Sequence, residues 1–232
     1  MKNTQVVRTL YSITLIILLF SSCKKENEGD CFISTGEIIK KEVSTGEFSE
    51  IDVYDNINLL ITQDTFNNVV IEAGENLIPF IITQVEDGRL TIRNNNRCDL
   101  VRSYKKKEVN VFATTNGIKR IIHNGYGWIK NTDTLINDAI DISVNSYGDV
   151  ELTVKVNYSH IDTHSGGDII LKGTSLLNGF WTSGNNWVRC SELITDTTYL
   201  DASITGNCYV NATKKLDVKI HSSGDVYYSG NP

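Results

Sequence analysis

A chain of 232 residues is long enough to bury a sizeable core, and its net charge of −6 argues against a nucleic-acid binder, which needs a basic face. Seventeen glycines against two prolines favour many short strands joined by turns over helices.

At the N-terminus Lys2 and Arg8 precede an apolar run at residues 10–20. That run is too short to cross a ~30 Å hydrocarbon layer as a helix, but it suits the apolar region of an export signal. The stretch Leu19-Phe20-Ser21-Ser22-Cys23 resembles the lipobox of bacterial lipoproteins, with Phe20 where leucine is usual. The resemblance implies a signal peptide over 1–22, a lipid on Cys23 and a membrane partner reached through that anchor. Lys24-Lys25-Glu26-Asn27-Glu28-Gly29-Asp30 is charged and aperiodic, so 23–44 reads as the lipidated cysteine and a flexible tether. The acidic run after the cysteine resembles surface-export signals. The location this implies is the outer membrane, with a surface-exposed and a periplasmic face both open.

Export places the chain in an oxidising compartment. Besides Cys23 there are Cys31, Cys98, Cys190 and Cys208, which allow three pairings. Cys31–Cys98 and Cys190–Cys208 are favoured, although the last two stand at different offsets from their local turns. Close Cys/His spacing is lacking, so no metal and no cofactor are expected.

From residue 45 the strand pattern is dense. Ile51 and Val53, then Ile57, Leu59 and Ile61, alternate with polar residues, and Val69, Ile71, Leu90, Ile92, Val109 and Val111 continue the series. Residues 75–83 read as a short helix or irregular turn, with Pro79 against a central strand there. Asp87-Gly88 reads as a hairpin turn, and Lys105-Lys106-Lys107 as a solvated turn.

Beyond residue 117 a phrase recurs: Gly125-Tyr126-Gly127-Trp128-Ile129, Ser146-Tyr147-Gly148-Asp149-Val150 and Ser165-Gly166-Gly167-Asp168-Ile169. Looser copies begin at Ser183 and Thr205, and a clean one at Ser222. Steps near twenty residues, with period-two apolar runs between the turns, predict the coils of a β-solenoid. The turn glycines are expected to supply positive φ.

Phe48-Ser49-Glu50-Ile51-Asp52-Val53-Tyr54-Asp55-Asn56-Ile57-Asn58-Leu59-Leu60-Ile61, then Val69-Val70-Ile71-Glu72-Ala73 and Val85-Glu86-Asp87-Gly88-Arg89-Leu90-Thr91-Ile92, together with the Ser-x-Gly-Asp-Val turns, resemble the putative auto-transporter adhesin head (GIN) domain family. The resemblance implies one all-β domain over 45–232, a parallel β-helix-like solenoid of right-handed coil, on Gram-negative envelope lipoproteins. It offers no catalytic residues.

Asp149 and Asp168 share one phase in adjacent coils, where they would bind calcium, act as acid and base, or bond local amides. The last reading is favoured, because Asn186 follows in the ladder and Trp128 precedes it. His123, His160, His164 and His221 show no metal spacing. Tyr126, Tyr147 and Trp128, with Trp181, Trp187 and Tyr209, are expected near the turns, where exposed rings would stack on a glycan or anchor a protein. The expectation is a non-enzymatic envelope protein with Tyr126, Trp128, Tyr147, Asp149 and Asp168 as candidate ligand-binding residues. A polysaccharide-processing enzyme and a self-associating structural protein, a homo-oligomer through the last coil, stand as alternatives.

Overall fold

Alternation of apolar and polar residues decides nearly every element. The computed structural model describes residues 34–96 and 108–232. The expectations for the signal segment, Cys23, Cys31, Cys98 and Lys105-Lys106-Lys107 lie outside these residues. The first strands are β1 (Ile38–Val43), β2 (Glu50–Asp55), β3 (Asn58–Gln63) and β4 (Asn68–Gly74), followed by β5 (Ile81–Glu86), β6 (Arg89–Asn94), β7 (Asn110–Thr115) and β8 (Arg120–Gly125). Then come β9 (Ile129–Asn131), β10 (Leu135–Ile136), β11 (Ala139–Val144) and the long strands β12 (Val150–Thr163), β13 (Ile169–Gly184), β14 (Val188–Ile204) and β15 (Cys208–Ile220), closed by β16 (Val226–Ser229). Helix is confined, among the described residues, to a 3₁₀ turn at Ile78–Phe80 that carries Pro79.

Ser34–Pro232 form one unit, a β-solenoid of about six turns. Parallel pairing brings one residue per coil into register. On the first wall Val111, Leu59, Ile129, Val150, Ile169, Val188, Cys208 and Val226 stack in that order. On the second wall the column is Leu90, Ile51, Ile121, Ile142, Ile161, Phe180, Leu200 and Val218. Both columns point inward and form the core, with Val218 and Val226 only partly covered at the last coil. Alternate residues therefore face outward at ~4.8 Å intervals from coil to coil, which makes each outer wall a set of side-chain rows.

The N-terminal end departs from the regular coil. β4 runs antiparallel to β7, and β1 antiparallel to β4. β1 lies inside the stretch expected to be tether, which corrects that boundary. Its residues are almost wholly exposed, so its own apolar pattern does not specify it; it forms because β4 offers an open edge of backbone donors and acceptors. β5 and β6 make the expected hairpin, with Asp87 at φ 49° and Gly88 at φ 76°.

The register also corrects the repeat. The inward residues Ile129, Val150, Ile169, Val188, Cys208 and Val226 are 21, 19, 19, 20 and 18 apart. The looser copies are each displaced by one residue from the sequence alignment, so Trp187, not Asn186, continues the Asp149–Asp168 column. Asn186 instead takes the glycine position, where it is buried.

The corner glycines serve a different purpose from the one expected. Gly127, Gly148, Gly167, Gly206 and Gly224 do not have positive φ. A Cβ on each would overlap the carbonyl oxygen of the coil beneath: Ile57 under Gly127, Gly127 under Gly148, Gly148 under Gly167, Asn186 under Gly206 and Gly206 under Gly224. Close backbone approach at a tight corner excludes the side chain.

Candidate functional site

One corner collects all five candidate ligand-binding residues in two columns. Tyr126 and Tyr147 stack with ring centroids 6.3 Å apart and planes 4° from parallel. They are 66% and 65% exposed, so this pair is a free surface. In the next coil the position holds Gly166, where a Cβ would run into the Tyr147 ring.

The second column is Asn58, Trp128, Asp149, Asp168, Trp187, Asn207 and Asp225, and it is a hydrogen-bond ladder. Asn58 Oδ1 accepts from the Trp128 amide at 3.3 Å, and Asp149 Oδ1 from the Asp168 amide at 2.9 Å. Asp168 Oδ1 accepts from the Trp187 amide at 2.9 Å, and Asn207 Oδ1 from the Asp225 amide at 3.0 Å. Asp168 also pairs with Arg189 at 2.9 Å. One oxygen of each of Asp149 and Asp168 is thereby committed to the backbone of the next coil, the role of a corner staple.

Aromatics recur further along the same edge. Trp187, Tyr209 and Tyr227 stack in sequence, with centroids 6.3 and 5.0 Å apart. The Arg189 guanidinium lies 5.4 Å from the Trp187 ring. Behind this edge Glu151 accepts from Lys130 and Lys172, both at 3.0 Å, and these bonds hold its carboxyl below the usual range.

Trp181 is not at a turn. It stands on the second wall, where register sets Asp141, His160, Gly179, Tyr199 and Asp217 in one outward row and Asp162, Trp181, Asp201 and Lys219 in the next. Its indole folds back over Gly179, which is buried beneath it although the position faces outward. A groove of about 550 Å³ lies on the His160 side and one of about 330 Å³ on the Tyr199 side, and Trp181 lines both. Sequence reading missed this site because its members stand about a coil apart in the chain and meet only through register.

His123 is buried inside the corner, and no metal-holding group of His, Cys, Asp and Glu occurs among the described residues. Cys190 and Cys208 are buried and free, which corrects the favoured pairing. Cys208 is registered with Val188, two residues before Cys190. At ~3.3 Å per residue and ~4.8 Å between strands their Cα atoms are roughly 8 Å apart, beyond disulfide reach.

The architecture is thus that of a rigid solenoid displaying rows of aromatic and charged side chains on its outer walls. Residues 47–232 match the family described as putative auto-transporter adhesin, head GIN domain, and the chain belongs to that family. Similar folds occur in a putative adhesin from Bacteroides fragilis (20% identity, TM-score 0.76, 86% of this chain and 98% of that one) and in a putative lipid binding protein from Parabacteroides distasonis (16% identity, TM-score 0.61, 85% and 96%). A putative adhesin from Parabacteroides distasonis is also similar (18% identity, TM-score 0.55, 83% and 97%). A search of curated proteins gives no significant match. No helix among the described residues is long and apolar enough to cross a membrane.

Proposed function

We propose that this is a non-enzymatic envelope lipoprotein, held to the outer membrane through Cys23, whose solenoid presents an adhesive surface to glycan or protein ligands. The observation that carries the reading is the Tyr126–Tyr147 stack, two exposed parallel rings fixed at a corner whose backbone is bonded coil to coil. Rings held in this way bind a partner without first losing much side-chain freedom. The enzyme alternative needs two carboxyls free to exchange protons, and the backbone bonds of Asp149 and Asp168 argue against it. The test is a glycan array with the chain from residue 24, with product analysis on every glycan retained. Retention without cleavage, lost in Tyr126→Ala/Tyr147→Ala, supports the reading, and cleavage sinks it.

A second reading has its own observation. Leu216, Val218, Val226 and Tyr228 line an open end at the last coil, and Tyr228 is 64% exposed. Such a surface suits end-to-end self-association. Sedimentation across a concentration series that gives only monomer removes this reading.

A further inference from the structure

The second wall carries a site independent of the corner. The outward row of Asp141, His160, Tyr199 and Asp217 is interrupted at Gly179, and the six-membered ring of Trp181 fills the gap. The indole lies between His160 and Tyr199, the neighbours of Gly179 in its own row, with the His160 and Trp181 ring centroids 5.0 Å apart. It nevertheless stays 46% exposed. Supported from below and open above, it is a platform for a ligand with a flat apolar face.

Several polar groups around it are held by a neighbour. His160 Nδ1 is 3.2 Å from Asp141 Oδ1, and Arg120 approaches the other Asp141 oxygen at 3.9 Å. On the far side His221 Nε2 meets Asp201 at 3.1 Å, while Lys215 donates to the Tyr199 hydroxyl at 3.2 Å. Acids and bases alternate, so the grooves present no strong field of either sign to draw in an ion. The carboxylates retain lone pairs, the ammonium further hydrogens, and each neutral imidazole a second ring nitrogen that accepts, for hydroxyls that both donate and accept.

From this combination we infer that the Trp181 grooves bind a neutral carbohydrate chain, one pyranose stacking its C–H face on the indole while hydroxyls of its neighbours bond Asp141 and His160 on one side and Asp201 and Tyr199 on the other. Ring hydrogens are drawn to the negative face of an aromatic system, and the polar groups then fix orientation. Gly179 is a positioning residue: it touches no sugar, but its lack of a side chain lets the indole settle.

The inference rests on the display reading and extends it to a second wall. The whole chain is titrated with maltohexaose, cellohexaose and mannohexaose, using trigalacturonic acid and tetralysine as charged controls, and read by calorimetry and tryptophan fluorescence. Saturable binding of at least one neutral hexaose is expected, with affinity at least about tenfold lower in Trp181→Ala. Gly179→Ala, whose new Cβ has its three nearest contacts on the indole, is expected to lower affinity with the thermal midpoint unchanged. No binding of any neutral hexaose at millimolar concentration overturns the inference, as does binding unchanged by Trp181→Ala or a preference for either charged control. Beads coated with the chain that still attach through Tyr126 and Tyr147 when the grooves bind no sugar overturn the groove alone and leave the display reading standing.

Discussion

Gly148 lies over His123, so that a Cβ at 148 would fall on the imidazole and on the Gly127 carbonyl at once. One residue therefore lacks a side chain so that two coils can close and a buried ring can fill the corner between them. Gly148→Ala is expected to cost about 1–3 kcal/mol, the range for overpacking a filled interior. Gly46→Ala, where a Cβ meets only a Val85 methyl at ordinary contact distance, serves as the control and is expected to stay within about 0.5 kcal/mol of the parent. Urea unfolding of both variants checks this, and equal midpoints would remove the steric account of the corner.

His123 makes the same corner sensitive to acid. Its Nδ1 accepts from the Gly125 amide at 3.3 Å, so Nε2 carries the hydrogen and donates to the Gly127 carbonyl at 2.8 Å. Burial pushes its pKa below the usual 6.5, against the smaller opposing pull of the Gly127 bond. Below pH 6.5 the unfolded chain takes up a proton that the folded chain refuses. The stability this residue confers is thus complete above that pH and is lost as pH falls, at up to ~1.4 kcal/mol per pH unit until the folded pKa is reached. His123→Gln is expected to flatten this slope between pH 6.5 and 5, and the three other histidines, common to both chains, cancel in the comparison. Identical slopes would mean that His123 titrates freely.

These two residues show how much of the fold was legible. The alternation around Ile51, Ile142 and Ile220 gave strands, and the spacing of Gly127, Gly148 and Gly167 gave a solenoid, because both are local signals. Register was not local. Ser183-Gly184 imitates the corner phrase one residue early, and only the pairing of Val188 with Ile169 and Cys208 reveals that Trp187 occupies the aspartate column. β1 was missed because its partner's open edge specifies it. The Tyr126–Tyr147 pair was readable from phase alone, whereas Trp181 acquires its setting only when His160 and Tyr199 are brought beside it.

The buried cysteines lead to a chemical prediction. Burial raises the Cys190 thiol strongly and pushes the Cys208 thiol up to about 11, so at neutral pH neither supplies the thiolate that reacts. Iodoacetamide on the native chain, followed by peptide mapping, is expected to leave both unmodified, and brief denaturation should expose both. A peptide pair linked through Cys190 and Cys208 would contradict the register that keeps them apart.

The aspartate column separates charge from geometry. Asp168→Asn keeps an Oδ1 to accept the Trp187 amide, as Asn207 does for Asp225, and loses only a part-exposed ion pair with Arg189. It is expected to cost no more than about 1 kcal/mol. Asp168→Ala also takes the acceptor from the exposed Trp187 amide and should cost about 0.5–1.5 kcal/mol more than Asp168→Asn. Calcium is expected to leave the thermal midpoint of the parent unchanged, since Asp149 Oδ1 and Asp168 Oδ1 already serve backbone amides. If Asn and Ala were equally damaging and calcium raised the midpoint of the parent alone, the carboxylates would be cation ligands and the corner would have to be read as a metal site.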